Sequence, residues 1–205
     1  MSLGQKYDRL YDQSMPADLG QELVRILAKH FDETPDFVES HWQAPEAHDL
    51  RGYVRRAYIQ QDVRSVANRW APRVTASFEK TERGGSHYTV VTAGRLVMTA
   101  SWIEAPWAMP RAAEFRRQNA ETRQLSWLRQ DETPSDNDVY AILVYGGMGR
   151  RLMFANIAFP DQACEGWLHS ISLRDKYPDT WREIYPEPAR PRDPAPMLLR
   201  QDARA

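Results

Sequence analysis

Residues 73–103 read RVTASFEKTERGGSHYTVVTAGRLVMTASWI, and this stretch decides the fold. Apolar and polar residues alternate in its first run, and two further apolar runs follow. Two short turn sequences, Arg-Gly-Gly-Ser at 83–86 and Ala-Gly at 93–94, separate the runs. A period of two residues is that of a β-strand, and glycine-rich turns are typical of hairpins. The stretch therefore predicts a three-stranded antiparallel meander.

The segment upstream of the meander, residues 17–70, has the spacing of helices. Apolar residues three and four positions apart predict an amphipathic helix over 17–31. The Thr-Pro pair at 34–35 is a typical helix start, with threonine as the N-cap and proline at the first helical position. We therefore expect a second, short helix that ends near residue 42.

A third helix is predicted over 48–70, and its apolar residues lie on two nearly opposite faces. Leu50, Val54 and Tyr58 share one face, whereas Ile59 and Val63 lie on the other. Two interpretations are open: the helix is buried between two layers, or it kinks near its middle, at Gln60-Gln61.

The remainder of the chain alternates between helical and strand-like segments. Helical spacing predicts a fourth helix over 111–129, and a β-hairpin is predicted over 139–159, with its turn at Gly-Gly-Met-Gly, 146–149. A short helical segment ends the fold. Residues 1–185 are thus predicted to form one α+β domain, in which helices cover a single mixed or antiparallel sheet. The proline-rich tail, 186–205, is expected to be flexible.

Composition indicates an ordinary globular protein. The chain has 205 residues, of which 42% are hydrophobic and 27% charged. Its first residues contain no apolar segment of the secretory type, and no apolar run is long enough to span a bilayer. The one cysteine, Cys164, cannot form an internal disulfide. We expect a soluble, cytoplasmic protein that does not bind membranes.

Several kinds of catalytic or cofactor site are excluded by missing motifs. A helical zinc site needs two histidines four residues apart, and no pair in the chain has this spacing. His41 and His48, for example, are seven residues apart. The glycines at 146–149 are not followed by the Lys-Ser/Thr of a phosphate-binding P-loop, and no Gly-x-Ser-x-Gly of a serine hydrolase occurs. We predict no metal site, no cofactor and no catalytic motif.

Charge is segregated along the chain although the net charge is only −1. Residues 1–47 hold four Lys/Arg and nine Asp/Glu, whereas residues 48–70 and 110–130 each hold five Arg and two acidic residues. The two basic regions coincide with the third and fourth predicted helices. An acidic first third beside two basic helices favours binding of an anionic partner.

The fourth helix carries the principal candidate binding surface. Arg116, Arg123 and Trp127 are spaced to lie on one stripe, where Arg123 could stack on the indole ring. Arg51 and Arg55 of the third helix could extend this surface. Arginines beside an aromatic ring suit a phosphate or carboxylate group, and the alternative is an arginine stem packed over a half-buried tryptophan. The interpretation is a non-catalytic binding or regulatory protein that contacts nucleic acid or an acidic protein.

Two alternative functions remain open. Glu104 lies between two tryptophans, Trp102 and Trp107, so it could act as an acid or base in a small-molecule pocket completed by His87. The structural alternative for Glu104 is a solvated residue at the edge of the core. A second possibility is an assembly component that docks through its C-terminal tail. Neither the identity of a partner nor the oligomeric state follows from the sequence.

Overall fold

The structure is a computed structural model that describes residues 1–81, 87–128 and 138–186, and of 125–128 it describes the backbone alone. In these ranges the chain forms six helices and one six-stranded mixed sheet. The helices are α1 Leu3–Ser14, α2 Ala17–His41, α3 Glu46–Asn68, α4 Glu114–Leu128, α5 Leu173–Lys176 and α6 Pro178–Ile184. The strands are β1 Val74–Lys80, β2 His87–Ala93, β3 Leu96–Trp102, β4 Val139–Met148, β5 Arg151–Pro160 and β6 Trp167–Ser172.

The predicted α+β class and the antiparallel meander are confirmed. β1 pairs with β2, and β2 with β3, both antiparallel. Gly94 has a φ of 54°, a value that glycine adopts without strain, and it makes the turn between β2 and β3. The predicted turn at 83–86 lies outside the described residues.

The sheet is mixed because α4 separates β3 from β4. These two neighbouring strands are parallel, in a register that runs from Leu96 opposite Val139 to Trp102 opposite Tyr145. A parallel pair needs a crossover connection, and α4 with the segment before it provides that connection. As a result, the carboxyl ends of β3 and β4 meet at one edge of the sheet.

The second hairpin is confirmed, but only the end of the predicted turn stretch 146–149 forms the turn. Gly146 and Gly147 belong to β4, and the turn is made at Gly149, whose φ is 59°. A Cβ atom at Gly147 would lie 2.2 Å from the carbonyl oxygen of Arg151 and 2.5 Å from Cε1 of Phe31. Glycine is required at Gly147 because a helix and a strand approach closely there, rather than because the chain turns.

The N-terminal helices differ from the prediction in two ways. α1 was not expected, although Tyr7, Leu10 and Tyr11 have helical spacing and are buried, and Ser2 caps it. α2 continues through Pro35 to His41 as one helix, so the predicted break at 34–35 is wrong. Tertiary packing keeps this region helical, since Val38, after the proline, is fully buried.

α3 is one uninterrupted helix, and its N-terminal and C-terminal halves differ in how far their apolar residues are buried. Ile59, Val63 and Ala67, in the C-terminal half, are buried in the main core against the sheet. Tyr53, in the N-terminal half, is 73% exposed. The N-terminal half of α3 packs beside α2, and the face that carries Tyr53 is exposed.

Helices cover both faces of the sheet. α1, α2 and α3 enclose the main core with one face, and α4 lies on the other, where Ala120 is fully buried against Tyr140 and Ile142. The predicted helical end is present as α5 and α6, preceded by the unpredicted edge strand β6. Apart from Pro186, the tail lies outside the described residues. Across the three described ranges, no helix has the length and apolar character needed to cross a membrane.

Candidate functional site: an arginine cleft

A cleft of about 640 Å³ opens where β3 and β4 end. One wall is the N-terminal half of α3, and the other is the start of α4 with the residues that precede it. Ser101 and Trp102 at the end of β3, and Tyr145 and Gly147 of β4, lie between these walls. Crevices at the carboxyl ends of parallel strands are common ligand sites in α/β sheets, so the topology itself produces this recess.

Four arginines line the cleft, and we call it the arginine cleft. Arg55 and Arg56 come from α3, whereas Arg111 and Arg116 come from the start of α4. Among the described residues, no acidic side chain lines the cleft, and none of the four arginines forms an ion pair with another described residue. The positive end of the α4 dipole lies at the same place. The recess is therefore strongly electropositive.

Arg116 is the most buried of the four arginines, with 9% of its surface exposed. Its Nη1 donates to the carbonyl oxygen of Arg111 at 2.7 Å and its Nη2 donates to Oγ of Ser101 at 3.0 Å. Its Nε is buried and has no hydrogen-bond partner among the described residues. Burial lowers the pKa of Arg116, and the nearby Arg56 lowers it further. A buried guanidinium without a counter-ion is a site at which an anion is stabilised.

Arg55 is held rigidly at the other wall. Its guanidinium lies over the ring of Phe31, 4.1 Å from the centroid. Its Nε donates to the carbonyl of His30 and its Nη2 to the carbonyl of Gly149, both at 3.3 Å. These neutral acceptors orient the side chain and leave its charge uncompensated. Burial lowers the pKa of Arg55, and repulsion from Arg51 adds to this effect.

Tyr145 lies between the two walls and is almost completely buried. Burial raises the pKa of its hydroxyl to about 12, although Arg56, Arg55 and Arg116 act in the opposite direction. The hydroxyl therefore keeps its proton at neutral pH. It is a neutral hydrogen-bond donor in a cleft lined by four arginines, an arrangement that suits an anion.

Two large aromatic side chains line the same cleft and remain accessible. Tyr53 is 73% exposed and Trp102 is 48% exposed. Neither ring stacks on another aromatic ring in the described part of the chain. Two apolar ring faces are thus available to a ligand beside the four arginines.

The structure brings together some of the arginines that the sequence singled out. Arg116 and Arg55 meet in the cleft, on opposite walls. Arg51 instead forms an ion pair with Glu39 on the surface between α3 and α2.

Arg123 bonds to the side chain of Asn119 and lies 4.0 Å from a carboxylate oxygen of Asp138. The side chain of Trp127 lies outside the described residues. The stripe on α4 is also not an open surface, because Arg116 and Ala120 face the sheet. Sequence reasoning missed Arg56, Arg111 and Tyr145, which are distant in the chain and meet only in the folded protein.

The residues of the alternative pocket do not form an enclosed site. Glu104 is exposed, and Trp107 is 79% exposed, so the carboxylate is not held between two indole rings in a water-poor environment. His87 is exposed at the start of β2, where its ring lies 6.4 Å from that of Phe78. This geometry gives Glu104 no apolar pocket of the kind that general acid or base catalysis requires.

The described lining of the arginine cleft consists of arginine, aromatic, hydroxyl-bearing and small side chains. Histidine, cysteine and carboxylate side chains, which most often transfer protons or attack substrates, are not among the described residues that line it. In the ranges that the structure describes, no group of three or more His, Cys, Asp or Glu could hold a metal ion. Comparison of the chain with protein-family models, with curated proteins and with solved structures gave no match.

Proposed function

We propose that the protein binds an anionic partner in the arginine cleft and does not transform it chemically. One observation supports this proposal above the others: four arginines line one recess, and no acidic side chain is among the described residues that line it. Surface arginines elsewhere, such as Arg69 and Arg117, are paired with glutamates. The four arginines of the cleft have no such carboxylate partner among the described residues, so their charges are available to a ligand.

The electrostatic cost of this cluster supports the same proposal. Desolvation and the nearby Arg56 both lower the pKa of Arg116, so both disfavour its charged form. A bound anion would offset both the repulsion and the lost hydration. Clusters of like charge of this kind are typical of functional sites.

The planar guanidinium group binds phosphate and carboxylate groups in a two-pronged geometry. The partner is thus a phosphate-bearing molecule, such as nucleic acid, or an acidic protein. The overall charge of −1 gives no general attraction to polyanions, so the contact is expected to be local to the cleft.

Fluorescence anisotropy with labelled single-stranded and duplex DNA and RNA, at low and at physiological salt, tests this proposal. Sodium pyrophosphate and polyglutamate serve as competitors. The double variant Arg56→Gln/Arg111→Gln removes two cleft charges, both on exposed side chains, and it is expected to weaken binding and to lower the salt slope by about 1 to 2.

The matched control is Arg69→Gln/Arg117→Gln. It makes the same charge change at two exposed positions outside the arginine cleft, and Arg69 lies about 20 Å along α3 from Arg56. The control should bind as the wild type does. If the cleft variant and the control weaken binding equally, or if no anion binds at low salt, the proposal is wrong.

A further inference from the structure

The arginine cleft is polar at its interior and aromatic at its mouth. Arg116 and Tyr145, at 9% and 1% exposed, lie in its interior. Tyr53 and Trp102, at 73% and 48%, lie where the cleft meets solvent. The charged group of a ligand would therefore bind in the interior of the cleft, and a flat apolar group would pack against the exposed rings at its mouth.

The size of the cleft limits what it can hold. Its volume of about 640 Å³ lies within the range of about 300 to 1,000 Å³ that is usual for small-molecule sites. A recess of this size accommodates a small molecule or one unit of a polymer. An extended stretch of duplex backbone would contact exposed side chains, whereas Arg116 is only 9% exposed and is reached from the recesses that it lines.

We infer that the ligand is a single nucleotide unit with an accessible phosphate. This inference rests on the function proposed above. The phosphate lies among Arg55, Arg116 and the hydroxyl of Tyr145, and the base stacks on Tyr53 or Trp102. Stacking accepts every base, since each has a flat π-face, so little preference for base identity is expected. The unit is either a free nucleotide or the terminal nucleotide of a single strand, because both present the same phosphate and base.

The test is isothermal titration calorimetry of the full chain with adenosine monophosphate and with ribose 5-phosphate, which lacks the base. The nucleotide should bind about tenfold tighter than the sugar phosphate, which is the usual contribution of one base–aromatic stack. The double variant Tyr53→Ala/Trp102→Ala should abolish this preference and leave the affinity for ribose 5-phosphate unchanged. Both side chains are exposed, so the variant is expected to fold.

Two controls make the result specific. Trp107→Ala removes an exposed tryptophan that does not line the cleft, and it should change neither affinity. Arg56→Gln/Arg111→Gln should weaken the nucleotide and the sugar phosphate together.

A 5′-phosphorylated oligothymidylate and its 5′-hydroxyl counterpart distinguish the two sources of the nucleotide. Tighter binding of the phosphorylated strand than of adenosine monophosphate identifies a strand end, and the reverse order identifies a free nucleotide. Either order agrees with the inference.

If ribose 5-phosphate binds through the arginines and the nucleotide binds no tighter, the nucleotide inference is overturned while the proposed anion binding stands. If neither molecule binds, the nucleotide inference is overturned, and the anisotropy experiment with nucleic acids and polyglutamate decides separately whether the proposed anion binding stands.

Discussion

Nη2 of Arg116 donates a hydrogen bond of 3.0 Å to Oγ of Ser101. This bond joins the first turn of α4 to the end of β3, and a second bond from Nη1 to the carbonyl of Arg111 fixes the segment before the helix. The guanidinium also lies 4.8 Å from the centroid of the Phe115 ring. Arg116 therefore has its orientation set before any ligand arrives, which lowers the entropic cost of binding.

Replacement of Ser101 by alanine should destabilise the protein by about 1 to 3 kcal/mol, because it leaves a buried charged donor without an acceptor. Urea denaturation measures this change in the free energy of unfolding. Ser77→Ala is the control, since Ser77 is exposed on β1 and should have almost no effect. Equal stability of the two variants would show that the bond to Arg116 contributes nothing.

Two glycines of the β4–β5 hairpin should respond differently to alanine. At Gly147 a Cβ atom would collide with the carbonyl of Arg151 and the ring of Phe31, so Gly147→Ala should cost about 3 kcal/mol. At Gly149 the space is open and only the positive φ is unfavourable, so Gly149→Ala should cost about 1 kcal/mol. Guanidinium chloride unfolding distinguishes them, and the reverse order would contradict the packing described for Gly147.

Gly52 offers a stabilising change. It lies inside α3, and a Cβ atom there would meet no atom within 4 Å. Gly52→Ala should therefore raise the free energy of unfolding by about 0.5 to 1 kcal/mol, because alanine loses less backbone entropy in a helix. Thermal unfolding measures the gain. An unchanged or lower melting temperature would indicate that α3 is not a regular helix at this position.

The elements that the sequence predicted well are those defined by local pattern. The meander of 73–103 has a period of two and turn glycines, both of which are local signals, and it is confirmed. The uninterrupted α2 was not predictable in this way, because Pro35 is a helix-breaking signal that tertiary packing overrides. Gly146 and Gly147 resemble a turn in sequence, and only the approach of Phe31 shows why they are glycine.

The candidate site was predicted in part. Helical spacing placed Arg116 and Arg123 on one stripe, but it could not show that this stripe faces the sheet at Ala120. Arg55 and Arg116 lie on opposite walls of one cleft because β3 and β4 are parallel and α4 crosses between them. That pairing is a property of the whole fold, so no local pattern indicates it.

Buried tyrosines should make the protein sensitive to alkaline pH. Burial raises the pKa values of Tyr7 and Tyr145 to about 12, and it also raises that of Tyr140. The usual tyrosine pKa is 10.0, so the folded state holds these protons more tightly than the unfolded state does. The stabilisation is complete below pH 10 and is lost as the pH rises from 10 towards 12. Ultraviolet absorbance should then show tyrosinate appearing together with unfolding, rather than before it.

Tyr145→Phe isolates one contribution to this alkaline loss. A shift of about two pKa units corresponds to about 2 to 3 kcal/mol, so the variant should lose that much less stability than the wild type between pH 10 and 12. Tyr53→Phe removes an exposed hydroxyl and should leave the alkaline transition unchanged. Because three arginines near Tyr145 favour its ionised form, a larger loss of stability in Tyr145→Phe than in the wild type would mean that these charges, and not burial, dominate the interior of the arginine cleft.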